Sequence, residues 1–387
     1  MSIPLNRTVE ALPPSGIRKY FDVVQGMDDA ISLGVGEPDF DTPWHIRDEG
    51  IYALEKGRTH YTSNAGLMEL KTEICRYLAR TQNIRYAEDD VFVTVGGSEA
   101  IDLCMRALLN PGDEVLIPQP SYVSYEPCAL LAGAKSVIID LREADDFRLT
   151  KQALSSHITD KTRLLVLPYP NNPTGAIMEK KDLEAIASLL IDRDIYVLSD
   201  EIYGELTYGG RHCSIASIPG MQERTILVGG FSKVYAMTGW RLGYAVGPKD
   251  LIAQMLKIHQ YAIMCAPSMS QYAGIEALRN GDEDIAMMRG EFDKRRRYLL
   301  HSFAQMGLEC FTPYGAFYVF PNIGAFGLSS DDFVMRLLRE EKLAVVPGTA
   351  FGACGEGFIR ISYAYSLDTL KRAMERLARF LSRLKEA

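Results

Sequence analysis

Lys233, Asp200 and Arg360 each stand in or beside a continuous apolar run of this 387-residue chain. Lys233 follows TILVGGFS, Asp200 ends IYVLSD, and Arg360 lies inside FIRISYA. Runs of this kind read as strands buried on both faces. A charge among them must have a partner or a chemical task, because burying it alone is costly. From Thr225 to Gly247 the run breaks at Gly229-Gly230, presents Ser232-Lys233, and resumes after Met237-Thr238-Gly239-Trp240-Arg241. Its flanks, Ile226-Leu227-Val228 and Leu242-Gly243-Tyr244-Ala245-Val246, read as buried parallel strands, with the glycines letting the backbone turn beside the lysine. A lysine at an exposed strand end is the plainer reading of any single lysine. Arg241, however, brings a planar cation suited to phosphate. An amine beside a phosphate grip suggests pyridoxal phosphate held as a Schiff base.

Other stretches carry compatible chemistry. Asp200 sits at the carboxyl end of its strand, where ligands bind in open α/β sheets. The order Val91–Val95, Gly96-Gly97-Ser98-Glu99, then a helix through Leu109 makes an anion site from unpaired N–H groups, with Ser98 expected as the N-cap. A capping serine without a ligand is the simpler alternative for Ser98 alone. The stretch lacks G-x-G-x-x-G, so a dinucleotide site is poorly supported. In YPNNPTG the prolines and glycine fix the loop. Asn172 there is either a preorganised amide donor or a turn-capping residue.

The motifs SKVYAMTGWRLGY, LGVGEPDFDTP, YTSNAG, PNNPTG, SDEIY, GAFYVFP and IRISYA resemble the class I aminotransferases, the fold-type I pyridoxal phosphate enzymes. The resemblance runs along nearly the whole chain and points to the branch of aromatic, aspartate and N-acetyl-diaminopimelate aminotransferases. It implies catalytic roles for Lys233, Asp200 and Tyr203. Lys233 would carry the cofactor and move the proton, Asp200 would pair with the pyridine nitrogen, and Tyr203 and Asn172 would donate to the phenolic oxygen. Tyr122 and Ile202 would pack on the ring. Gly97, Ser98, Glu99, Ser232 and Arg241 would complete the cofactor site, with Tyr61 reaching the phosphate of a neighbouring subunit. Arg360, Gly36 and Asn172 would hold the substrate carboxylate, and Ile17 and Tyr20 would line the side-chain pocket. Without the resemblance, Tyr61 reads as a surface tyrosine and Gly36 as a turn glycine. Gly230 departs from the pattern, since some relatives place a phosphate-binding serine there.

The expected function is therefore amino transfer between an L-amino acid and a 2-oxo acid by a ping-pong mechanism, in a homodimer with shared sites. The residues fit an aromatic, a dicarboxylic or an acylated diamino substrate. A C–S lyase or decarboxylase on the same fold is the alternative, and a non-enzymatic binding role is a third.

The elements that must position these residues follow from periodicity and length. At 387 residues the chain exceeds the usual single-domain length, and its 47% apolar and 24% charged composition is ordinary for a globular protein. Strands alternate with helices from residue 91 to 246, the signature of an α/β fold. The expectation is a large domain with a mostly parallel seven-stranded sheet flanked by helices, plus a smaller α+β domain. The boundaries are 1–44 for an N-terminal arm and part of the small domain, 45–285 for the cofactor domain and 286–387 for the small domain. A short helix is expected over 17–26. Glu291–Arg297 is mixed in sign and reads as a solvated helix face. A net charge of −8 argues against a nucleic-acid partner. Seven scattered cysteines read as reduced and mostly buried, without metal-ligand spacing. No apolar run reaches membrane-span length and no signal-peptide core opens the chain, so a cytoplasmic location is expected.

Overall fold

A computed structural model of the chain describes residues 5–14, 16, 27 and 29–386. The expected helix over 17–26, with Ile17 and Tyr20, lies outside the described residues. The strands are β1 (Ile31–Ser32), β2 (Val91–Thr94), β3 (Glu114–Gln119), β4 (Lys135–Asp140), β5 (Thr162–Leu167), β6 (Tyr196–Asp200), β7 (Thr225–Gly230), β8 (Gly243–Val246), β9 (Tyr318–Val319), β10 (Leu343–Ala344), β11 (Val346–Pro347) and β12 (Ile359–Ser362).

Seven of these form one sheet in the order β2-β8-β7-β6-β5-β3-β4. The strands β3 to β7 pair in parallel, whereas β8 runs antiparallel to both β2 and β7. This is an α/β fold with a large, mostly parallel sheet. The expectation that the strands flanking Lys233 run parallel is corrected here. The link between them holds only a 3₁₀ turn, Thr238–Trp240, and not the crossover helix that a parallel pair needs.

Because side chains alternate across a strand, both faces of the sheet are apolar. Phe92, Val166, Leu198, Ile226 and Val228 pack with the helices Gly97–Leu108 and Lys249–Ala262. Val93, Leu227 and Tyr244 face the helices Met68–Gln82 and Ser268–Asn280 on the other side. Leu116, Leu165 and Val197 pack against Lys180–Leu190. The expectation that Gly229 and Gly230 turn the chain beside the lysine is corrected: both lie within β7. A Cβ on Gly229 would lie 2.3 Å from the Tyr244 ring, and one on Gly230 would lie 2.7 Å from Ile202. They are glycine for want of room.

The C-terminal part packs the helices Asp282–Met306, Ser330–Glu341 and Leu367–Glu386 with the antiparallel sheet β11-β12-β9. In the last helix Leu370, Ala373, Met374, Leu377, Phe380 and Leu381 form one buried stripe at three- and four-residue spacing. β1 joins this part by pairing in parallel with β10, Ile31 opposite Leu343. The boundary expected at 285/286 falls inside the 25-residue helix Asp282–Met306. Gly281 precedes that helix, so the stop signal at Asn280-Gly281-Asp282 separates two helices.

Two further expectations change. Arg295 and Arg296 are buried, Arg295 against Asp39 at 2.6 Å and Arg296 against Asp293 at 2.7 Å, so this run is not simply a solvated face. All seven cysteines are free, but only Cys104 is fully buried. Among the described residues no helix is long and apolar enough to cross a membrane, and no cluster of side chains could hold a metal ion.

Candidate active site

The carboxyl ends of β5, β6 and β7 open on a cavity of about 310 Å³. Its walls include Gly36, Gly97, Ser98, Tyr122, Asn172, Asp200, Ile202, Tyr203, Ser232, Lys233, Arg241 and Arg360, residues far apart in sequence. Of the remaining expected residues, Glu99 and Tyr61 do not line it. Tyr61 is 80% exposed. The Glu99 carboxylate turns away, bound to His259 Nδ1 at 2.6 Å and to the Val95 N–H at 2.5 Å. Its side chain is thus held behind the start of the helix Gly97–Leu108, while its backbone N–H stays in the first turn of that helix.

Lys233 reaches the cavity just after β7, and its Nζ donates to the Gly36 carbonyl at 2.7 Å. Burial is the main cause that lowers its pKa to about 8, and Arg241 and Arg360 push the same way against Glu37. An amine tuned this far down is far more often neutral and nucleophilic near neutral pH than an ordinary lysine.

Asp200, at the end of β6, is buried. Its Oδ2 accepts from Tyr125 at 2.7 Å and its Oδ1 accepts from the Ile202 N–H at 3.2 Å. Burial raises its pKa above the usual carboxylate range, while the two hydrogen bonds act downward. Among the described residues no cation pairs with it. A carboxylate held so, hydrogen-bonded but without a cation, suits a cationic ring nitrogen.

Arg360 is 2% exposed and sits between the rings of Tyr318 and Phe351, 4.6 and 4.7 Å from their centroids. Its Nη1 donates to Asn172 Oδ1 at 2.8 Å, its Nη2 to the Gly34 carbonyl, and its Nε has no partner. Burial lowers its pKa. The carboxylate that burial demands is found nowhere among the described residues, so this fork is free for an incoming one. Asn172 is thus not the turn-capping asparagine. That task falls to Asn171, whose Oδ1 accepts from the Thr174 N–H and hydroxyl.

At the other end of the cavity the helix Gly97–Leu108 begins. Gly96, at φ +79°, is its N-cap, and Ser98, expected in that role, stands in the first turn. A serine could not easily take the cap, because the backbone there is left-handed. Arg241, itself at φ +53°, is fixed by an Nη1 bond to the Thr238 carbonyl at 2.9 Å. A Cβ on Gly96 would lie 2.7 Å from Arg241 Nη2, and one on Gly243 would lie 2.7 Å from the Gly96 carbonyl carbon. The glycines bring β8 and the guanidinium against free helix N–H groups. That donor set, with Ser98 and Ser232 beside it, is a cradle for a phosphate dianion. Amine, acid and phosphate cradle together fit pyridoxal phosphate.

Two residues escaped the sequence reading. They are Tyr125, at the start of the helix Tyr125–Leu131, and Tyr318 in β9. Only the fold shows that the first donates to Asp200 and that the second lies beside Arg360 with its hydroxyl 2.8 Å from that of Tyr203.

The model of the family "Aminotransferase class I and II" matches residues 28–377. The Bacillus subtilis protein named "Probable N-acetyl-LL-diaminopimelate aminotransferase" is 44% identical over 384 residues, covering 99% of this chain and 97% of its own. A Pyrococcus abyssi aspartate aminotransferase is 45% identical over 377 residues, 96% of this chain and 97% of that one. The crystal structure of an aromatic aminotransferase from Pyrococcus horikoshii superposes with a TM-score of 0.91 at 44% identity, over 96% of this chain and all of its own. Relatives with three different substrate names thus stand at nearly equal identity.

Proposed function

Because the chain belongs to the class I and II aminotransferases, and is a pyridoxal-phosphate-dependent enzyme of that kind, we propose that it moves an amino group between an L-amino acid and a 2-oxo acid through Lys233. The observation that carries this reading is one cavity in which Lys233, Asp200 and Arg360 meet with no ion pair between them. Three strongly tuned groups in a shared cleft are what acid–base work on a charged substrate requires.

When bound, the cofactor supplies an electron sink for the charge left at the substrate α-carbon. Lys233 would attach it covalently in the resting enzyme and, once displaced, accept and return the α-proton. Asp200 would hold a proton on the ring nitrogen, its ionised form kept by Tyr125 and Ile202. Arg360 would take the α-carboxylate, steered by Asn172 and the Gly34 carbonyl. Gly97, Ser98, Ser232 and Arg241 would grip the phosphate, while Tyr122 and Ile202 pack on the ring and Asn172 and Tyr203 face its phenolic oxygen. Because the first substrate's carbon skeleton would depart as a 2-oxo acid and leave its amino group on the loaded enzyme before a second 2-oxo acid takes that group up, the kinetics would be ping-pong. The donor in this reading is of the aromatic, dicarboxylic or related class, the classes after which the similar proteins are named.

The working unit in this proposal is a homodimer in which the exposed Tyr61 reaches its partner's phosphate site. Reduction of the loaded enzyme with borohydride, followed by peptide mapping, tests the central assignment: the label belongs on Lys233. Recovery on any other lysine overturns it.

A further inference from the structure

We propose that Tyr318 is a positioning residue for both ends of this site, its hydroxyl directing the proton of Tyr203 and its ring holding the Arg360 guanidinium in plane. The inference rests on the roles given above to Tyr203 and Arg360.

Tyr318 is 1% exposed, yet it lines the cavity. Its Oη lies 2.8 Å from Tyr203 Oη, and its ring lies under Arg360 at 4.6 Å. A Cβ on Gly36 would come within 2.3 Å of the same hydroxyl, so the segment that accepts from Lys233 also closes around Tyr318. The backbone beneath is fixed. Tyr318 pairs with Ser362 in the antiparallel sheet, and Ala316, at φ +57°, has its carbonyl held by the hydroxyls of Tyr208 and Tyr363.

The hydroxyl argument is one of proton counting. Tyr203 and Tyr318 each carry one proton, and a single hydrogen bond joins them. If Tyr203 directs its proton to an oxygen in the cavity, its own oxygen can only accept, so Tyr318 must donate. A donor that itself accepts a hydrogen bond is polarised and strengthened. Tyr318 would then sharpen Tyr203 without touching the reacting atoms. The ring argument is separate: Arg360 has Phe351 on its other side, and the two rings keep the fork flat for bidentate pairing with a carboxylate. The ionisable groups that bear on Tyr318 include Arg360, Tyr203, Tyr122 and Tyr365.

The test compares three variants of the loaded enzyme: Tyr318→Phe, Tyr318→Leu and Tyr203→Phe. The first readout is the pH midpoint of the bound cofactor's visible absorbance, taken without substrate. A phenolic oxygen less well hydrogen-bonded keeps its charge and holds the neighbouring proton more tightly, so a weaker donor moves the midpoint upward. Tyr203→Phe should move it most, and Tyr318→Phe in the same direction by less. The second readout is steady-state kinetics. Tyr318→Phe should lower kcat about two- to tenfold, the range for one hydrogen bond, with KM nearly unchanged. Tyr318→Leu should in addition raise the amino-acid KM about tenfold, as loss of a cation–π contact implies. If the Leu variant is not recovered folded, the Phe variant decides alone, since it keeps the ring. A midpoint that moves in Tyr203→Phe but not in Tyr318→Phe overturns the inference and leaves the proposed function standing. A midpoint unmoved in Tyr203→Phe overturns both the inference and the role given to Tyr203. A raised KM with unchanged kcat in Tyr318→Phe also overturns it.

Discussion

In the cofactor-free protein the Lys233 amine should titrate near 8, against about 10.4 for an ordinary lysine. The neutral form then makes up about one part in ten at pH 7, compared with about one in three thousand for a lysine at the unshifted value of 10.5, a difference of about 300-fold. The sign is fixed by the cause: burial disfavours the ammonium, so the amine is charged below the midpoint and nucleophilic above it. Brief acylation with a small neutral reagent from pH 6 to pH 11, followed by mass mapping of each lysine peptide, measures the neutral fraction directly. Lys233 should give a profile with its midpoint about 2.5 pH units below the bulk of the lysines. Neighbouring charges supply a second check. Glu37 acts to raise the value and Arg241 to lower it, so Glu37→Gln should move the Lys233 midpoint down and Arg241→Met should move it up. A Lys233 profile that coincides with the surface lysines, an upward shift in Glu37→Gln or a downward shift in Arg241→Met would refute the reasoning.

The acid and the arginine should separate kinetically. Asp200→Asn should lower kcat about a hundredfold or more while the cofactor stays bound, because a neutral amide no longer favours a protonated ring nitrogen. Arg360→Ala should instead raise the amino-acid KM, and the reverse pattern in steady-state kinetics would show the two roles to be exchanged. For the dimer, mixing a Lys233→Ala chain with a Tyr61→Phe chain under conditions that exchange subunits should restore activity above either parent, since one heterodimer site is then native. No gain despite exchange verified by mass spectrometry would exclude a shared site.

Some features of this protein were legible because they depend on local pattern. Continuous apolar runs such as LLVLP and IYVLSD announced strands buried on both faces, and the glycines before Ser98 announced a helix start able to hold an anion. Motif spacing also picked out Lys233, Asp200, Asn172, Arg241 and Arg360, which do converge on one cavity. What the sequence could not carry was direction and contact. The antiparallel course of β8 depends on the length of a link that contains only a 3₁₀ turn. The glycines of β7 matter through Tyr244 and Ile202, which come to them across the fold. Asn171 and Asn172 are identical in type and adjacent, yet one closes the turn and the other meets Arg360, a partner 188 positions away. Tyr125 and Tyr318 became visible only when packing set a hydroxyl against Asp200 and another against Tyr203. A side chain's residue type and local periodicity are written in the chain itself, whereas its electrostatic surroundings are decided by which distant segments the burial of both sheet faces brings together.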